Sequence, residues 1–301
     1  MRYGDKGSEV KKVQESLVQK GYTLPRYGAD GHLGDETWES IHRYAKDQGL
    51  RWDPFIDDEI IDSIRDEEVP TDPGLPPVPP SDLGAETVDL RSEQAVPSPK
   101  SKVVSGRTVS RNPKSVTGIV LHQTACTYGV SQNQINAAGG DKDLALQRRA
   151  LGVACHAMAF RKGWVVWSNP LDLYIYHGNG FNSYTLGLEV EGRYPGLTNS
   201  PDSTTWGGDP TPLTQEIIDA ARAGVALLLS EGRKMGMPIE YIYAHRQSSD
   251  TRRSDPGEGL WRDVVLGYAV PVLGLKTKTA ESIGSGMAIP VDWDPDGRGK
   301  Y

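Results

Sequence analysis

From Thr117 to His122 the chain reads Thr-Gly-Ile-Val-Leu-His, an apolar, β-branched run without alternation, which is the pattern of a strand buried on both faces. A similar run, Ile239 to His245, also ends on a histidine. Between them, Ser183 to Gly192 alternates, with Leu186, Leu188 and Val190 on one face and Gly187, Glu189 and Glu191 on the other. Thr214 is a suitable N-cap for a helix that carries Ile217, Ile218, Ala221, Val225 and Leu228 inward. Strands interleaved with such a helix predict an α/β domain over residues 105–275, a mixed sheet with helices on both faces.

The pattern before residue 67 is different. Val10, Val13 and Leu17 recur at helical spacing up to Gly21; a second helix is predicted from about Asp35 to Asp47, with Trp38, Ile41 and Ala45 on one face, and a third from about Asp57 to Arg65. The segment Asp30–Ile41 aligns with Asp53–Ile64, matching at Asp30/Asp53, Asp35/Asp58, Glu36/Glu59, Ser40/Ser63 and Ile41/Ile64. Residues 1–66 are therefore expected to form a small all-α domain of three helices. A proline-rich stretch, Val-Pro-Thr-Asp-Pro-Gly-Leu-Pro-Pro-Val-Pro-Pro, opens an expected linker at residues 67–104, and residues 276–301 are expected to be a loosely packed extension.

A net charge of −7 over 301 residues argues against a nucleic-acid partner, which calls for a basic patch, and against long-range attraction to anionic polymers. The N-terminal residues lack the apolar core of a signal peptide, and the longest apolar run, from Val264 to Leu275, is shorter than the roughly 20 residues that span a bilayer. No membrane insertion is expected; the reading is a soluble chain, cytoplasmic in the cell that makes it and monomeric. Two cysteines, Cys126 and Cys155, are too few for a disulfide framework and read as thiols, with a single bridge the alternative.

His122, His245 and a carboxylate from the loop that runs through Arg253 and Asp255 would suit a tetrahedral zinc site with one position open. Taken singly, a histidine at a strand end more often meets a structural need. Glu189 and Glu191 on one strand face would be costly in a core and make sense beside a cation or along a cleft; a solvated face is the alternative for Glu191.

Two resemblances sharpen this. Gly4, Gly7, Glu9-Val10, Gln14, Leu17, Gly21-Tyr22, Asp30-Gly31, Leu33-Gly34 and Thr37 resemble the short peptidoglycan-binding domain often appended to wall hydrolases, with Leu33 where phenylalanine is commoner. From Thr117 to Trp261 the blocks Ile-Val-Leu-His122-Gln-Thr-Ala, Cys155-His156-Ala-Met-Ala-Phe, His177-Gly, Leu186-Gly-Leu-Glu189-Val-Glu191-Gly192 and Ala244-His245-Arg through Arg253-Ser-Asp255-Pro256-Gly257 resemble, in order, the zinc amidase family of phage amidase-type lysozymes and peptidoglycan recognition proteins.

The resemblance implies zinc held by His122, His245 and Asp255, with Glu189 as the catalytic acid/base and Arg253 as the cation at the developing oxyanion. Arg253 stands where lysine is frequent, and Cys155 where some members have tyrosine. His156 and His177 match recurrent family histidines and read as structural or cleft-lining. The activity implied is hydrolysis of the amide between N-acetylmuramic acid and the L-alanine of the stem peptide, with peptidoglycan as partner. A wall-binding module joined to such an amidase resembles a phage endolysin held in the cytoplasm until release; an injected effector and a non-catalytic peptidoglycan-binding protein are the alternatives.

Overall fold

The computed structural model describes residues 1, 3–19, 22, 24, 27–47, 60–61, 64, 83–197 and 208–299, and the chain divides into two compact units, Met1–Pro73 and Gly74–Tyr301. In the first unit, helices α1 (Ser8–Gln19) and α2 (Asp35–Asp47) bury Val10, Val13, Leu17, Ile41, Tyr44 and Ala45 against Leu33 and against Ile60, Ile61 and Ile64. Gln14 is wholly buried and ties the Asp30 turn to both helices. Its amide donates to Asp30 Oδ1 (2.9 Å) and Thr37 Oγ1 (2.8 Å) while its carbonyl accepts the Gly31 N–H (2.6 Å). Ile60, Ile61 and Ile64 are helical and buried, but the rest of the expected third helix, and with it most of the second Asp-turn-helix repeat, lies outside the described residues.

The second unit is built on a six-stranded sheet in the order β1-β6-β5-β7-β4-β8: β1 (Glu86–Asp89), β4 (Gly118–Gln123), β5 (Ala157–Phe160), β6 (Trp164–Trp167), β7 (Thr185–Val190) and β8 (Tyr241–Ala244). All neighbours are parallel except the β5–β6 hairpin, so the sheet is mixed, as the alternation of strand and helix predicts. β2 (Val103–Val104) and β3 (Arg107–Thr108) form a separate two-stranded ribbon. On one face Ile119, Leu121, Ala157, Ala159, Leu186, Leu188, Val190 and Ile242 share a core with the inward side of α5 (Gln215–Lys234), where Ile217, Ala221, Val225 and Leu228 are fully buried. The opposite face carries two apolar patches. Met158, Phe160 and Val166 pack beneath α4 (Lys142–Gln147), which follows α3 (Gln132–Ala137), and Val120 and Tyr243 pack against Phe181. Between these patches runs a polar strip formed by Gly187, Glu189 and His122.

Two boundaries differ from those read in the sequence. Residues 86–89 pair with β6 as an edge strand, and Ser101 and Ser110 bridge to Ile175 and Leu173, so the second half of the expected linker belongs to the sheet-bearing unit. A short polar edge strand needs no apolar pattern, because its backbone alone makes the pairing. The expected loose extension 276–301 is also packed over its described residues, 276–299. Thr277, Ile289 and Trp293 are buried, and the Trp293 indole lies 6.2 Å from that of Trp261 and donates to the Gly196 carbonyl. A lone tryptophan in a Gly-rich segment has no periodicity to announce it, yet it is among the largest apolar groups the chain can bury. Among the described residues no helix is long and apolar enough to cross a membrane.

Candidate metal centre

Parallel pairing brings three strand ends together. His122 and Glu189 are register partners near the carboxyl ends of β4 and β7, and His245 follows Ala244 at the end of β8, which pairs with β4 on its other side. In open α/β sheets the crevice beyond the strands' carboxyl ends is where ligands sit. The loop after His245 returns Asp255 to the same place. Its Oδ1 accepts the Gln123 N–H (2.8 Å), the Arg246 N–H binds its carbonyl (3.1 Å), and the Gln123 carboxamide donates to Tyr194 O (2.8 Å) and to Ser254 O. Gly257 closes this loop at φ +105°, and a side chain there would meet Tyr194 Cβ at 2.8 Å, so both the conformation and the space call for glycine.

The donor atoms converge. His245 Nδ1 lies 2.9 Å from His122 Nδ1 and 2.9 Å from Asp255 Oδ2, and the third separation, His122 Nδ1 to Asp255 Oδ2, is 4.0 Å. Two imidazole nitrogens and a carboxylate oxygen on a tetrahedral zinc, each at about 2.0–2.1 Å, stand about 3.4 Å apart, and the observed separations bracket that value. All three residues are buried. Burial and the neighbouring His245, His177 and Arg252 hold His122 well below the usual imidazole range, which keeps it in the neutral form a metal ligand needs.

The hydrogen bonds behind the donors fix which nitrogen of His122 faces forward. His177 Nε2 is 3.2 Å from the Thr185 carbonyl, an acceptor only, so Nε2 carries the proton and Nδ1 of the neutral ring accepts. Burial pushes the His177 pKa down to about 3, so the ring is neutral. His122 Nε2 lies 3.1 Å from that Nδ1 and must donate to it, which leaves the His122 Nδ1 lone pair directed at His245 and Asp255. Such outer hydrogen bonds set the tautomer and orientation of metal-ligating histidines. Gly187 makes room for the arrangement, since a Cβ there would fall 2.7 Å from His177 Nδ1. His156 is the next ring along. Its Nδ1 accepts the Gly187 N–H (2.9 Å) and its Nε2–H meets Leu173 O (3.1 Å), a saturated structural histidine beside the buried Arg111.

The two glutamates of β7 and its end separate clearly. Glu191 is buried and accepts the N–H groups of Tyr128 (2.8 Å) and Arg161 (3.0 Å), so its carboxylate holds two loops. Glu189 is partly open, but its Oε2 is enclosed and has no hydrogen-bond partner among the described residues. Burial first, then the charge of Asp255, raises its pKa well above the usual carboxylate range, and Arg252 opposes this. An orphaned carboxyl oxygen beside converging metal donors is short of positive charge, and a cation held by His122, His245 and Asp255 would supply it. Arg253 is exposed, and its carbonyl accepts from the Arg246 guanidinium. The cation whose charge bears on both His122 and Glu189 is Arg252, which the sequence order alone does not single out. Nor does it single out the role of His177, because the argument depends on the Thr185 carbonyl and on a ring-to-ring contact with His122 across 55 residues.

A His177→Ala variant is expected to bind zinc about 10–100-fold more weakly, the usual scale for removing a partner of a ligating histidine. Competition with a chromophoric chelator reads this directly. Unchanged affinity would mean that His122 is oriented by other contacts.

Residues 112–258 match the family profile described as N-acetylmuramoyl-L-alanine amidase. A stretch of 53 residues is 45% identical to a probable N-acetylmuramoyl-L-alanine amidase of Bacillus licheniformis, covering 18% of this chain and 15% of that protein. The same length of sequence is 38% identical to the N-acetylmuramoyl-L-alanine amidase CwlL of that organism, again spanning 15% of the relative. Among solved structures, the chain is similar to the endolysin amidase LysCS from Clostridium intestinale URNW at 16% identity and TM-score 0.33, covering 57% of this chain and 87% of that one. It is also similar to Drosophila PGRP-LB at 15% identity and TM-score 0.36, covering 64% and 96%.

Proposed function

We propose, on the premise that residues 112–258 belong to the N-acetylmuramoyl-L-alanine amidase family, that this chain is a zinc-dependent hydrolase of peptidoglycan. It cuts the amide between the lactyl group of N-acetylmuramic acid and the L-alanine of the stem peptide. The observation that carries the proposal is the convergence of His122, His245 and Asp255 beside the unpartnered carboxyl oxygen of Glu189. His122 and His245 through Nδ1, and Asp255 through Oδ2, would hold zinc, which when bound acts as a Lewis acid on the scissile carbonyl and acidifies water.

The remaining work falls to side chains. Glu189 accepts a proton from the attacking water and returns it to the amide nitrogen as the C–N bond breaks, so water and amide become carboxylic acid and amine. Arg253 is assigned to the carbonyl oxygen as it gains charge, with Arg252 sharing the task because its charge already reaches Glu189. His177 holds His122 in its ligating tautomer and takes no part in the proton transfer. A non-catalytic peptidoglycan-binding protein is disfavoured by the complete donor set together with a base-type carboxyl.

The unit Met1–Pro73 supplies wall binding, and the setting proposed is lysis by a phage endolysin; a holin gene beside this one is the expected neighbour, and an injection apparatus there would reassign it as a delivered effector. Digestion of purified sacculi with mass spectrometry of the products tests the chemistry. The expected outcome is free stem peptides with intact glycan strands; new reducing ends or cut cross-bridges would refute the bond assignment. In the same assay the full chain should pellet with sacculi, and removal of residues 1–73 should release it.

A further inference from the structure

Arg111 lies in the segment before β4, and it is buried. Its backbone is pinned to the chain that follows β6: its N–H donates to Asp172 O (2.7 Å), and the neighbouring Ser110 bridges to Leu173. The guanidinium is committed to carbonyl oxygens. Nη1 donates to Asn182 O (3.0 Å) and Thr185 O (2.5 Å), and Nη2 donates to Leu171 O (2.6 Å). These acceptors come from the loop after β6, the turn before β7 and the first residue of β7. A planar fork can hold them together, whereas an ammonium offers its donors from a single point. Burial lowers the Arg111 pKa to about 10, against the charges of Asp172 and Tyr174, so the fork stays charged at neutral pH.

The Thr185 carbonyl has a second donor, His177 Nε2–H, at 3.2 Å. The two bonds are unequal. The Arg111 contact is short and charge-assisted, while the His177 contact sits at the long end of the range for N–H···O bonds, so a small shift of the carbonyl would lose it. The other acceptor within reach, Thr185 Oγ1, is 3.4 Å from Nε2 and directs its own hydrogen to Phe181 O (2.8 Å). Burial, and then the charge of Arg111, hold both His156 and His177 neutral. We propose that Arg111 is a positioning residue of the metal centre. By fixing the Thr185 carbonyl it fixes the proton on His177 Nε2, and through His177 it keeps the His122 Nδ1 lone pair turned toward His245 and Asp255. What this does for zinc rests on the metal reading of the site; what it does for the two ring protons holds in the metal-free chain.

Two measurements on the full chain test this. In the metal-free protein, nitrogen NMR of the imidazoles reports which ring nitrogen carries the proton. Wild type is expected to hold His122 and His177 as single Nε2–H tautomers, and Arg111→Met should give mixed tautomers at both. Zinc affinity is then followed by chelator competition in a cycle with His177→Ala. Arg111→Met should weaken binding about tenfold in the wild-type background, the low end of the scale for supporting a ligating histidine, and less than about twofold where His177 is already alanine. An arginine that only held the fold together would weaken binding equally in both backgrounds. Equal losses, or unchanged tautomers in Arg111→Met, overturn the proposal. If the methionine variant does not fold, Arg111→Lys, which keeps the buried charge and loses the fork, takes its place with the same expected and overturning results. A wild type that binds no zinc would refute the metal reading, and the imidazole spectra would still decide the role of Arg111.

Discussion

Glu189→Gln is expected to lose about 100-fold or more in turnover while zinc content and fold stay as in wild type. The substitution removes one ionisable oxygen from a carboxyl whose Oε2 has no hydrogen-bond partner among the described residues, so no protein hydrogen bond to that oxygen is lost. Its chemical role depends wholly on basicity, which an amide lacks. The neighbouring glutamate provides the contrast. Glu191 accepts two backbone N–H groups, from Tyr128 and Arg161, and its amide variant must turn an NH₂ toward one of them. Glu191→Gln should therefore cost about 1–3 kcal/mol of stability, read as a lower Tm, and comparatively little turnover. Near-normal turnover in zinc-loaded Glu189→Gln would remove it as the base; an inactive but stable Glu191→Gln would transfer the role by one pleat.

For His245→Ala the expected result is a chain that retains almost no zinc after dialysis, against one ion per chain for wild type. His245 Nδ1 is the donor nearest to both others, 2.9 Å from each, so its loss leaves a pair 4.0 Å apart that cannot enclose the ion. Metal analysis beside circular dichroism separates ligation from folding. Equal zinc in the variant and wild type would exclude His245 as a ligand.

Much of this site is legible in the chain because its parts sit at the ends of buried runs. The apolar stretch ending at His122 becomes β4, the run ending at His245 becomes β8, and the alternation through Leu186, Leu188 and Val190 becomes the α5-facing side of β7. What alternation cannot decide is which glutamate matters, since Glu189 and Glu191 share a parity. The difference lies in partners brought from 30 and 63 residues away, and no local pattern encodes those. The tautomer of His122 is invisible for the same reason, being set by a carbonyl that only the folded strand pair presents. The edge strand Glu86–Asp89 escapes notice because most of its side chains are exposed, and its membership in the sheet is a backbone matter.

The C-terminal segment that packs Trp293 also laces the loop that carries His245 and Asp255. The Ile283 and Met287 N–H groups bind the carbonyls of Gln247 (2.8 Å) and Arg246 (2.8 Å), the Gln247 carboxamide returns bonds to Lys278 O (2.7 Å) and Glu281 O (2.9 Å), and the Arg246 guanidinium lies 5.1 Å from the Trp293 ring. If His245 and Asp255 hold an ion as proposed, docking of this segment and ligation would act on one loop, and thermodynamic linkage would make any coupling between them reciprocal. By whatever factor the docked segment raised affinity for the ion, the bound ion would raise the docking equilibrium constant by the same factor. On the zinc reading, metal depletion would loosen the packing of this segment, and proteolytic trimming of it would weaken metal binding.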